Sequence, residues 1–114
     1  MRKLLALSVL AAVALLAAVF ATSAPSATRV NVGDNYFVRP SGVPTVTVSK
    51  GTKVRWVWTG DELHNVKVAS GPARFGSSSM TRGSYSKTVR KRGTYTIVCT
   101  VHGASDQKMK LVVK

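Results

Sequence analysis

Hydrophobic positions fall into two regimes along the chain. From Leu4 to Ala21 they form one run, LLALSVLAAVALLAAVFA, interrupted only by Ser8. After residue 24 no helical period stands out. Short segments rich in valine, threonine, tyrosine and tryptophan follow one another, punctuated by glycine, proline and serine. That pattern predicts strands and turns. The predicted strands are Thr28–Val32, Pro44–Val48, Lys53–Trp58, His64–Ala69, Ser84–Val89, Thr94–Val98 and Lys108–Val113. Within them the alternation is clean. Val54, Trp56 and Trp58 share one face, and Arg55 and Val57 the other. In the last strand Met109, Leu111 and Val113 oppose Lys108, Lys110 and Lys114. One face is thus built for a core and the other for water. Residues 70–83 read as a long loop with room for a short edge strand. About seven to eight strands at this spacing predict an all-β domain, a sandwich or barrel.

The first regime is a different kind of segment. Arg2 and Lys3 precede the apolar run and Thr22-Ser23-Ala24 follow it. A basic start, an apolar stretch and a small-residue exit describe a secretory signal peptide. Cleavage after Ser23 fits, with Ala21 three positions back. The competing reading is an uncleaved anchor, since the 18 residues of the run reach the lower limit for a bilayer-spanning helix. Residues 1–24 are therefore read as leader and 25–114 as a single domain. The protein is expected to be exported, to a periplasm, a cell surface or the medium, and membrane-anchored if the leader stays.

Charge narrows the function classes. The chain has 17 lysines and arginines against 4 acids, a net charge of +13, and loss of Arg2 and Lys3 with the leader takes this to +11. Such a surface attracts anionic partners, an acidic protein or an anionic membrane surface; export argues against nucleic acid. The acids are Asp34, Asp61, Glu62 and Asp106. They offer no sequence cluster for calcium. Asp61 and Glu62 are adjacent, so on a strand they would face opposite ways rather than share a cleft for general acid–base work.

The soft-ligand inventory is brief: His64, Cys99 and His102. All three lie at strand ends or in the loops beside them. A single cysteine cannot form an internal disulfide. It can be a nucleophile with a histidine base, a dimer bridge or a metal ligand. The nucleophile reading lacks a third polar member and an oxyanion loop. The bridge reading is opposed by Ile97 and Val98, which place Cys99 at the end of a strongly apolar strand. One thiolate and two imidazoles with a weak fourth ligand suit copper passing between its two oxidation states, and the affinity order favours copper over zinc.

Three blocks carry a family resemblance. Lys50–Trp56 reads KGTKVRW, His64–Val66 reads HNV, and Gly93–His102 reads GTYTIVCTVH. In this order they resemble the plastocyanin branch of the cupredoxins, the type 1 blue copper proteins. The segment WVWTGDELHNV is similar to the halocyanins. The resemblance runs from about Val30 to Lys114. It implies a Greek-key β-sandwich, one copper ion per chain cycling between Cu(I) and Cu(II), and His64, Cys99 and His102 as equatorial ligands. It also implies that Asn65 ties the strand of the first histidine to the cysteine loop. In the plastocyanin pattern a methionine stands five residues after the second histidine; here that position is Gln107. Gln107 is the expected axial ligand through its amide oxygen, as in the stellacyanin-type sites of plant phytocyanins, with Met109 the competing reading. A harder oxygen ligand favours the cupric ion and lowers the potential.

The expected function is that of a small exported electron carrier, monomeric and not an enzyme, passing single electrons between a redox-protein donor and acceptor through the edge of His102. Two other readings stand beside it: copper storage, delivery or resistance with the same ligands, and a metal-free interaction module. Trp56 and Trp58 are read as packing residues, and Arg90-Lys91-Arg92 as a solvated turn that can dock an acidic partner.

Overall fold

The computed structural model describes residues 27–114, so the leader lies outside the described residues. Eight strands run in chain order: β1 (Thr28–Gly33), β2 (Tyr36–Phe37), β3 (Thr45–Val48), β4 (Lys53–Trp58), β5 (Lys67–Ser70), β6 (Ser84–Thr88), β7 (Gly93–Val98) and β8 (Lys108–Val113). They form two four-stranded sheets, ordered β2-β1-β4-β6 and β3-β8-β7-β5. The pairs β1/β4 and β3/β8 are parallel and the others antiparallel. A parallel pair cannot be joined by a tight hairpin. The chain therefore crosses repeatedly between sheets, and the product is the predicted β-sandwich.

The core follows from the alternation. Val54, Trp56 and Trp58 of β4 face Met109, Leu111 and Val113 of β8 across the interior, and all six are buried. Trp56 lies 5.7 Å from Tyr85 and 6.0 Å from Phe75, ring centroid to ring centroid, and Phe75 lies 5.7 Å from Tyr95. These tilted contacts are the spacing at which aromatic pairs attract. Tyr95 is buried, and its hydroxyl donates to the Lys91 carbonyl at 2.7 Å across the basic β6–β7 turn. Burial holds the Tyr95 phenol above its ordinary pKa.

Two departures from the sequence reading bear on function. The hairpin β1–β2 closes through Asp34 and Asn35, with Gly33 paired to Tyr36; β2 is too short to announce itself by alternation. Asn35 takes φ 72°, a left-handed value that asparagine tolerates. The second departure is at β5, which starts at Lys67 rather than His64. His64 makes only an isolated bridge to Met80. The ladder then breaks because Val66 gives its N–H to the Ser77 hydroxyl at 2.9 Å. Residues 71–83 return along this edge, with Gly76 bridged to Lys67.

Candidate metal centre

Three loops meet at one end of the sandwich: the β1–β2 turn, the β4–β5 loop and the β7–β8 loop. The β4–β5 loop supplies His64. Its backbone is held by Met80 on one side, with His64 N–H to Met80 O at 3.0 Å and Met80 N–H to His64 O at 2.9 Å. The indole of Trp58 donates to the same His64 carbonyl at 3.2 Å. Trp58 is therefore more than packing, since it anchors the histidine backbone from the neighbouring strand.

The β7–β8 loop, CTVHGASDQ, supplies the rest. It is wound tightly: Gly103 N–H bonds Cys99 O at 3.0 Å, Gln107 N–H bonds Gly103 O at 3.2 Å, and Cys99 N–H bonds Gln107 O at 3.2 Å. Gly103 takes φ 91°, which glycine adopts without a Cβ clash. This winding sends Cys99, His102 and Gln107 inward from one nine-residue segment.

The donor atoms converge. Cys99 Sγ lies 4.0 Å from His64 Nδ1 and 3.7 Å from His102 Nδ1. One ligating atom from each residue falls within 4.8 Å of the others. Both imidazoles present the same nitrogen to the sulfur, with ring centroids 4.8 Å apart. His64 and Cys99 are fully buried. The His102 side chain is 24% exposed, so this one of the three reaches the surface. Exposed Leu63 and Val101 neighbour the two histidines in sequence.

Gln107 is fully buried. Its amide N–H₂ donates to the carbonyls of Gly33 at 3.1 Å and Tyr36 at 2.9 Å. Two acceptors fix which end of the amide is nitrogen. Its Oε1 is then left buried with no hydrogen-bond partner among the described residues. Such a group costs free energy unless something satisfies it. A bound metal ion that reached this oxygen would do so. Met109 stands instead in the core of β8, paired with Ile97.

Asn65 is nearly buried and clamps the β4–β5 and β7–β8 loops together. Its amide donates to Thr100 Oγ1 at 2.7 Å and its carbonyl accepts from Thr100 N–H at 2.8 Å. The two bonds join the β4–β5 loop to the β7–β8 loop.

In the sequence Asp34 is one acid among four, with no motif that marks it. Its carboxylate accepts from His64 Nε2 at 2.8 Å, from Asp61 N–H at 3.1 Å and from Glu62 N–H at 3.0 Å. The hydrogen bond from His64 and the two backbone N–H groups hold its pKa at about 2, below the usual 3.8. Glu62 in turn lies 3.3 Å from His102 Nε2. Asp34, Glu62 and His64 also form a triad of potential ligand atoms. The Asp34 oxygens, however, are taken by N–H donors, so that triad reads as support for the first.

Comparison with known proteins agrees with this geometry. Residues 27–114 match the family described as copper binding proteins, plastocyanin/azurin family. The chain belongs to this family. Among solved structures it is similar to a methionine-to-glutamine mutant of amicyanin in the Cu(I) state, at 28% identity and TM-score 0.65, over 80% of this chain and 85% of that one. It is similar to an oxidised proline-to-glycine mutant of amicyanin at 28% identity and TM-score 0.63, over 86% and 88%. A reduced tryptophan-to-tyrosine mutant of amicyanin matches at 26% identity and TM-score 0.65, over 81% and 86%. Among curated proteins no match is found. The cofactor of this plastocyanin/azurin member is copper, and one thiolate with two imidazoles is a donor set that suits it.

Proposed function

We propose that this protein is an exported one-electron carrier whose copper is held by His64 Nδ1, Cys99 Sγ and His102 Nδ1, with Gln107 Oε1 as a weak axial ligand. The observation that carries the reading is the convergence of the two Nδ1 atoms on the buried thiol. Copper supplies the one-electron couple. The chain supplies a site that changes little between the two oxidation states. Asn65 and Thr100 hold the two ligand loops at fixed separation, and Gln107 is pinned through its own nitrogen. Because His64, Cys99 and Gln107 are fully buried, water is kept from them. The exposed edge of His102 is then the short route to a partner.

Charge gives the molecule two ends. All four acids lie in the three loops that surround the donor atoms, while Arg90-Lys91-Arg92 sits on the β6–β7 turn, at the end of β7 opposite Cys99. An acidic protein or anionic membrane surface is accordingly met by the basic end, which leaves His102 free for exchange with a redox protein.

The test is a copper titration of residues 25–114, read by visible absorption and electron paramagnetic resonance. We expect one copper per chain and an intense thiolate-to-copper band that disappears in Cys99→Ser. Copper bound without that band would replace electron transfer with storage or delivery. Failure of the folded, reduced protein to bind copper tightly would sink both.

A further inference from the structure

We infer that Asp34, from the β1–β2 turn, is a positioning residue for the metal centre: it fixes the proton of His64 on Nε2 and places a negative charge one imidazole away from the copper. This rests on the copper-site reading above and goes beyond it, because Asp34 touches no donor atom and acts through His64.

Geometry carries the first half. A carboxylate only accepts hydrogen bonds, so at 2.8 Å the ring must donate from Nε2 to Asp34 Oδ1. The neutral imidazole has one proton, and Nδ1 is left as a bare lone pair. Nδ1 is the atom that faces Cys99 Sγ. The ring is fully buried, so water offers no alternative partner. A carboxylate behind a ligating histidine also raises the basicity of the nitrogen that binds metal.

Packing shows that the contact is built in. Oδ1 accepts simultaneously from His64, Asp61 N–H and Glu62 N–H, which closes the β4–β5 loop onto the β1–β2 turn. Gly60 completes the cradle: a Cβ there would collide with Asp34 Oδ1. A side chain at residue 60 and a carboxylate in this place exclude each other.

Charge carries the second half. An anion close behind a ligand stabilises the higher metal charge more than the lower. Asp34 therefore favours the cupric ion and lowers the potential.

Two variants separate the two effects. In Asp34→Asn the amide oxygen can occupy the Oδ1 position and keep its three donors, losing the charge and the second contact of Asp61 N–H with Oδ2. In Asp34→Ala both go. First, nitrogen-15 NMR of the imidazoles in the metal-free wild type should show His64 protonated on Nε2 and bare on Nδ1, a readout that needs no copper. Asp34→Asn should retain that tautomer, retain the blue band and raise the potential. A loss of cupric preference on the order of tenfold is about 59 mV for a one-electron couple. Asp34→Ala should give a mixture of tautomers and faster copper loss. A proton on Nδ1 in the wild type overturns the positioning role. An unchanged or lower potential in Asp34→Asn overturns the electrostatic one. A merely structural Asp34 would lower stability in both variants and leave potential and tautomer where they were. Absence of the blue band in the wild type would condemn the electron-carrier reading of the site, and the NMR result on the metal-free chain would still stand or fall alone.

Discussion

The Gln107→Met substitution puts the axial position to a quantitative test. In the metal-free protein Gln107 contributes two hydrogen bonds, a buried one to Gly33 O and a partly buried one to Tyr36 O. At about 1 kcal/mol net each, their loss costs about 2 kcal/mol. The same substitution removes the orphaned Oε1, whose burial without a partner costs about 1–3 kcal/mol. The two terms oppose, and methionine fills a similar volume. Urea unfolding of the metal-free variant should therefore differ from wild type by no more than about 2 kcal/mol. The copper protein should behave differently. If Oε1 is the axial donor, its replacement by a thioether removes the harder ligand and the cuprous form gains. Voltammetry should give a higher potential for the variant, and electron paramagnetic resonance should show altered copper parameters. Met109→Leu, a buried change in the core of β8, should leave both unchanged. A Gln107→Met potential equal to or below wild type would refute the axial assignment. So would a Met109→Leu variant that shifts the potential as Gln107→Met was expected to.

Two further outcomes follow from the same contacts. Asn65→Ala removes both bonds to Thr100 and should cost about 2–3 kcal/mol in urea unfolding of the metal-free protein, with copper dissociating faster because the two ligand loops are no longer clamped. In acid, Asp34 contributes stability that is fully present above its unfolded pKa near 3.8 and is lost as pH falls through about 2; unfolding midpoints of the metal-free wild type should fall across that window, and those of Asp34→Asn should fall less.

Local pattern determined much of this protein. The period-two alternation in Lys53–Trp58 and Lys108–Val113 reports which face is buried, because a strand's side chains have no other way to share a core. Those strands, their inner faces and the sandwich were legible for that reason. The block CTVHGASDQ was legible too, since a short loop keeps Cys99, His102 and Gln107 together whatever the rest of the chain does. Tertiary structure decided what distance in sequence conceals. His64 reaches Cys99 across 35 residues only because β4 and β7 belong to opposite sheets whose loops open at one end. Asp34 reaches His64 across 30. Gly33-Asp34-Asn35 signals a turn in the sequence, but no local pattern says that its carboxylate will lie behind His64. The orphaned amide oxygen of Gln107 is of the same kind. It exists because two carbonyls of the β1–β2 hairpin, some 70 residues away, claim the nitrogen of that amide and leave its oxygen unpaired. Composition and periodicity act between neighbours in the chain, whereas the partners of His64, Cys99 and Gln107 are set by which loops the fold brings to one end.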